Sequence, residues 1–136
     1  MEQLFNKAVK VSEEAFLNRQ AGKLYAGQKA IPNGLDAGRL FADRHEVLSR
    51  IRFAPENGEN ETWLINIGAH PNSLGGSNRK LSGEYPYFMR EIIRNEKGAN
   101  VHFGIGAIGG MDAPEFDKED KLNCIKLQAK FFAEHA

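Results

Sequence analysis

The stretch Trp63-Leu64-Ile65-Asn66-Ile67-Gly68-Ala69-His70-Pro71-Asn72-Ser73-Leu74-Gly75 decides the fold. Leu64, Ile65 and Ile67 stand in near-continuous apolar sequence, the pattern of a strand placed centrally in a sheet. His70 ends the run, and Pro71, with no N–H to give to a ladder, stops it. A loop rich in Ser, Asn and Gly follows, from Asn72 to Glu84, and leads into a helix. An imidazole placed where a core strand breaks into a loop suits a metal ligand or an acid/base group. It equally suits a strand-end histidine bonded to nearby backbone, and the spacing leaves both readings open.

Working upstream, His45 to Phe53 alternates, with Val47, Ser49, Ile51 and Phe53 on one face and Leu48, Arg50 and Arg52 on the other. That is the period of a half-buried strand. The polar turn Pro55 to Asn60 joins it to the strand at Thr62–Ala69 as an antiparallel hairpin. Before it, Lys23 to Ile31 reads as a short strand and Pro32-Asn33-Gly34 as a turn. Residues 2 to 18 place Leu4, Phe5, Ala8, Val11, Ala15 and Phe16 on one helical stripe.

Downstream, a helix is expected from about Tyr85 to Asn95. Ser82 or Glu84 can cap it, Pro86 sits in its first turn, and Phe88, Met89, Ile92 and Ile93 share a side. Lys97-Gly98 ends it. Val101 to Ile108 is the next strand, and strand-helix-strand order favours a parallel crossover beside the His70 strand. A last helix over about Lys118 to Glu134 carries Leu122, Ile125, Ala129 and Phe132. The order α-β-β-β-α-β-α makes an α/β fold, a single layered domain over residues 1–136 with a mixed, partly parallel β-sheet flanked by helices.

The totals agree with one globular domain. A chain of 136 residues buries about two thirds of its unfolded surface. Eighteen basic and eighteen acidic residues cancel, and no basic stripe points to nucleic acid. The single Cys124 excludes an internal disulfide, and its setting among core-type residues reads as a small buried hydrophobe. No apolar run approaches the ~20 residues of a transmembrane segment. The first residues lack the order of a signal peptide. The chain is therefore expected to be cytoplasmic or part of a longer exported protein.

Gly104-Ile105-Gly106-Ala107-Ile108-Gly109 matches the dinucleotide-binding glycine pattern in form only. That pattern needs a helix at the third glycine and a later strand with an acidic residue, whereas Pro114 interrupts any helix here. A glycine-rich strand instead lets another backbone or a ligand approach closely. If the strands ending at His70 and near Ile108 are parallel neighbours, the loops 70–84 and 109–117 converge. They bring candidate groups His70, Asn72, Ser73, Asn78, Ser82, Glu84 and Asp112, although such loops are also ordinary solvated turns. Neither a zinc-binding histidine pair nor a serine at a nucleophile elbow is present.

The segment from His70-Pro71-Asn72-Ser73-Leu74-Gly75 to Ser82-Gly83-Glu84, followed by Val101 to Gly110, resembles the neutral/alkaline non-lysosomal ceramidase family. That family carries a similar His-Pro-Thr-Ser/Val-Leu/Met-Gly, then Ile-Ser-Gly/Ala-Asp, then a phenylalanine strand ending in Gly-Ala-x-Gly-Asp. The resemblance is specific between residues 63 and 112 and looser upstream, where Gly34 to Phe41 is similar to the family's Asn-Arg segment. It implies a zinc-dependent amidase fold that cleaves an N-acyl amide, ceramide-like bond. His70 would be one metal ligand and Arg39 would match a substrate-polarising arginine.

The family's other metal ligands have no counterpart in this sequence, so Zn is expected only in a complete domain. The nucleophilic serine of the family's Gly-Asp-Val-Ser-Pro is replaced, with Asp112 in its place. Asp112, Glu84 and Arg39 are thus the catalytic candidates, and Asn72, Ser73, Asn78 and Ser82 the substrate-binding ones. The expected partner is a small-molecule amide or lipid substrate, and a homo-oligomer is left open. The competing reading is a non-catalytic ceramidase-like scaffold or binding module that has lost the metal.

Overall fold

The computed structural model describes residues 2–37 and 43–136. Arg39 lies outside the described residues. The elements, in order, are α1 (Glu2–Leu17), β1 (Gly22–Ala30), β2 (Asp36–Ala37), β3 (Val47–Pro55), β4 (Thr62–Ile67), α2 (Glu84–Lys97), β5 (Asn100–Ile105), β6 (Met111–Asp112) and α3 (Lys121–His135). The main sheet has the order β1-β3-β4-β5. Its first two pairings are antiparallel and β4 pairs with β5 in parallel, so the sheet is mixed. The expected hairpin, the central position of β4 and the crossover through α2 are all present.

Alternation divides the sheet into two unlike faces. Trp63, Ile65 and Ile67 of β4 and Val101 of β5 point to one side, where they join Tyr85, Met89 and Ile93 of α2 and Ile125, Ala129 and Phe132 of α3 in a single core. Each fully buried Ile or Phe there contributes about 1.5–3 kcal/mol. Tyr85 sits at the centre, edge-on to Phe103 at 5.8 Å and tilted against Phe132 at 4.8 Å. Its hydroxyl donates to the Ala69 carbonyl at 2.8 Å, which ties α2 to the end of β4. On the same face Arg50 lies over the Trp63 ring and donates to the Ala136 carbonyl. Arg52 lies over Tyr25 and beside the Glu61 carboxylate.

The helix ends follow local chemistry. Ser82 Oγ accepts from the Glu84 N–H at 3.0 Å, but the cap position is Gly83 and carries no side-chain bond. Gly98 takes the left-handed conformation, φ 66°, and its N–H returns to the Arg94 carbonyl. α3 starts three residues later than expected. Asp117 Oδ1 accepts from the Glu119 and Asp120 N–H groups, which holds a turn there, and Asp120 then caps Leu122 and Asn123. Leu122 is consequently exposed rather than part of the apolar side.

The glycine pattern behaves as close-approach geometry. A methyl group on Gly68 would meet the Ala107 carbonyl at 2.9 Å, and one on Gly106 would meet the Gly68 N at 3.1 Å. The two strand ends are in near contact here, and Gly106 donates to the Ile67 carbonyl at 2.9 Å. No helix starts at Gly109, so the dinucleotide geometry is absent.

α1 forms as expected, and every residue in it is exposed, so its apolar stripe is open among the described residues. The sheet face opposite α2 and α3 is also open, with Leu24, Ile51 and Leu64 exposed.

Candidate functional site

The loops after β4 and β5 meet as the parallel pairing requires. The His70 N–H donates to the Met111 carbonyl at 3.0 Å, and His70 bridges Asp112 in parallel. On the other side of β6, Asp112 pairs with Asp36 and Met111 with Ala37. His70, Asp112 and Asp36 therefore stand in one row across three neighbouring backbones, and side chains paired in this way project to the same side. Met111 between them is buried and anchors the row to the core.

The carboxylates are held by directed bonds. Asn72 Nδ2 donates to Asp112 Oδ1 at 2.9 Å, and the Glu115 N–H donates to Asp36 Oδ2 at 3.1 Å. They line a cleft of about 380 Å³ together with Asn72, Ser73, Glu115 and Lys121. At its rim Lys121 Nζ donates to Glu115 at 2.6 Å, and that contact holds the Glu115 carboxyl below the usual carboxylate range. Ser73 is engaged from below: its hydroxyl and the Gln128 amide exchange bonds at 2.8 and 3.1 Å. Gln128, fully buried on α3, also donates to the Pro114 carbonyl at 2.8 Å.

Asn72, Ser73 and Asp112 are thus brought together, with His70 on the adjoining backbone. Glu84 lies further along: its Oε1 accepts from the Leu74 N–H at 3.2 Å, its Oε2 is buried without a partner, and its backbone has φ 50°. Asn78 bonds to Lys80 and Ser82 to Glu84, so both close their own loop. Cys124 is buried with its thiol toward the Pro114 carbonyl, as expected of a small hydrophobe. Sequence reasoning missed Asp36 and Gln128. Asp36 belongs to a two-residue strand with no period to detect, and Gln128 looks like an ordinary helix surface residue.

The serine of the family's motif directly precedes its proline. Here the residue directly before Pro114 is Ala113, which is buried, while Asp112 reaches the cleft one residue earlier.

Solved structures share this fold. A structure of neutral ceramidase from Pseudomonas aeruginosa superposes with a TM-score of 0.79 at 15% identity, over 94% of this chain and 24% of that one. The fold is ceramidase-like. A ceramidase complexed with C2 gives a TM-score of 0.77 at 14% identity, over 91% of this chain and 23% of the other. The chain therefore spans about a quarter of the length of these ceramidases. No protein-family model matches the sequence, and no curated protein matches it.

Zinc is the cofactor that the sequence resemblance implies, and one donor here suits it. His70 Nδ1 is buried without a hydrogen-bond partner, a costly state for a ring nitrogen unless something else is bound. The set is incomplete, however: among the described residues no group of three or more His, Cys, Asp or Glu side chains is placed to hold a metal. The described residues do not build a zinc site by themselves.

Proposed function

We propose that this chain is part of a ceramidase-like hydrolase that cleaves an N-acyl amide bond. The observation that supports the reading most is the meeting of His70 and Asp112 across one bridge, on a fold shared with neutral ceramidase. His70 would offer Nδ1 to a zinc ion whose other ligands come from outside the described residues. Asp112, oriented by Asn72, would accept the proton of an attacking water, and Asp36 would keep the row acidic. Asn72 and Ser73 line the cleft where a substrate carbonyl or amide would lie. Glu84, with one unpartnered carboxylate oxygen, is the second candidate base.

The alternative is a non-catalytic module, and Ala113 before Pro114 favours it. No hydroxyl stands where the family's motif carries its nucleophile.

The whole protein that contains this chain separates the two. As a hydrolase it retains zinc on purification and hydrolyses an N-acyl amide, His70→Ala loses the metal, and Asp112→Asn lowers turnover by roughly a hundredfold. Unchanged turnover in Asp112→Asn removes Asp112 from the mechanism. A folded whole protein with neither zinc nor amidase activity establishes the module.

A further inference from the structure

Gln128 is the one polar side chain in the core among the described residues, on a helix whose other buried residues are Cys124, Ile125, Ala129 and Phe132. An amide in such a setting is costly unless its hydrogens are used, and both are. One goes to the Pro114 carbonyl and the other to Ser73 Oγ, each at 2.8 Å. An apolar side chain of similar size would avoid that cost, so the reason for the amide lies in what it holds.

The direction of the Ser73 bond follows from the amide. The Pro114 carbonyl can only accept, so the Gln128 nitrogen faces it and the amide cannot be turned over. That nitrogen also lies nearer to Ser73 Oγ than the amide oxygen does, at 2.8 Å against 3.1 Å. Both atoms belong to one small group and stand close together as seen from Oγ. The O–H and the lone pairs of a hydroxyl are separated by roughly a tetrahedral angle, so Ser73 cannot accept from one atom and donate to the other with good alignment. Ser73 therefore accepts from Gln128, and its own hydrogen turns away, toward the cleft that it lines.

The cleft is short of that kind of group. Asp36, Asp112 and Glu115 bring carboxylates, which only accept when ionised. Asn72 and Lys121 each have a donor committed to one of them. A ligand carboxylate would be repelled here, whereas an uncharged carbonyl oxygen needs one neutral donor and finds it in Ser73.

We propose that Ser73 donates to the carbonyl oxygen of an amide bound in this cleft, and that Gln128 is the positioning residue that keeps its hydrogen there. The inference rests on the N-acyl amide reading above and adds the group that polarises the carbonyl.

The test is a titration of N-hexanoylethanolamine, a short N-acyl amide, into the whole protein that contains this chain, with Ser73→Ala and Gln128→Glu beside the wild type. Gln128→Glu keeps the shape and reverses one bond. Its buried carboxyl is held protonated, the hydrogen goes to Pro114, and the other oxygen can only accept. Ser73 must then donate to it, and the cleft loses the hydrogen.

If the amide is hydrolysed, kcat should fall by roughly a hundredfold in Ser73→Ala and at least about tenfold in Gln128→Glu, with KM nearly unchanged. The double variant should be no slower than Ser73→Ala, because both changes remove one donor. If the amide is bound without being hydrolysed, Kd should rise about tenfold in both variants; that result removes the hydrolase reading and leaves the Ser73 assignment standing. Hydrolysis or binding that is unchanged in Ser73→Ala overturns the assignment and leaves the hydrolase reading untouched. An effect in Ser73→Ala but not in folded Gln128→Glu overturns the role of Gln128, and a wild-type protein that neither binds nor hydrolyses the amide overturns both. A neutron structure of the wild-type protein reads the same bond without any variant. The Ser73 deuteron is expected on the cleft side, and a deuteron lying toward Gln128 Oε1 overturns the proposal.

Discussion

Asn72 donates its side-chain amide to the Asp112 carboxylate at 2.9 Å, across the gap between the loop that ends β4 and the short strand β6. The backbones are already joined beside it by His70 and Met111. The side-chain bond therefore orients the carboxylate, and the backbone bond holds the loops.

Asn72→Ala should accordingly cost about 1 kcal/mol, read as a lower urea midpoint. The His70 amide should stay protected from hydrogen exchange. Loss of that protection would show that Asn72 holds the loops themselves.

Gln128 carries a larger share, because it is fully buried and serves both loops at once. Gln128→Leu leaves the Pro114 carbonyl and the Ser73 hydroxyl without their partner. A loss of about 1–3 kcal/mol is expected in chemical denaturation. A neutral result would mean that water enters and replaces the amide.

Tyr85 gives a pH signature. Burial pushes its phenol well above the ordinary value of about 10. The unfolded chain therefore loses this proton first as pH rises. The contribution is intact below about pH 10 and falls by about 1.4 kcal/mol per unit above it. Tyr85→Phe lacks this term and also lacks the bond to Ala69. The stability gap between wild type and Tyr85→Phe should narrow above pH 10, and a constant gap would contradict the burial of the hydroxyl.

Two glycines should respond in opposite senses. Gly68→Ala forces a methyl against the Ala107 carbonyl and should cost about 1–3 kcal/mol. Gly27, on edge strand β1, has open space where a methyl would go, and Gly27→Ala should be neutral or stabilise by up to about 1 kcal/mol. Thermal melts of the pair are the check.

Much of this was legible before any coordinates. Period-2 alternation in His45–Phe53 and the apolar run at Trp63–Ile67 identify two strands, and the polar turn between them sets an antiparallel pair. Met89 and Ile93 at helical spacing, followed by Gly98, identify α2 and its end. The intervening helix then makes β5 a parallel neighbour of β4, so that the loops bearing His70 and Asp112 converge. These features are local, and local backbone preference writes them directly into residue order.

Other features depend on contacts far apart in the chain. Asp36 meets Asp112 through strands of two residues each, too short for any period. Gln128 meets Ser73 because α3 folds back beneath the loop, and its amide looks the same in sequence whether wet or buried. The apolar stripe of α1 was readable as a stripe, but whether it would be covered was not. Hydrophobic spacing states which side of an element avoids water. Only the packing of the whole chain determines what meets that side, and here it left α1 and one sheet face open while drawing His70, Asp112 and Asp36 into a single row.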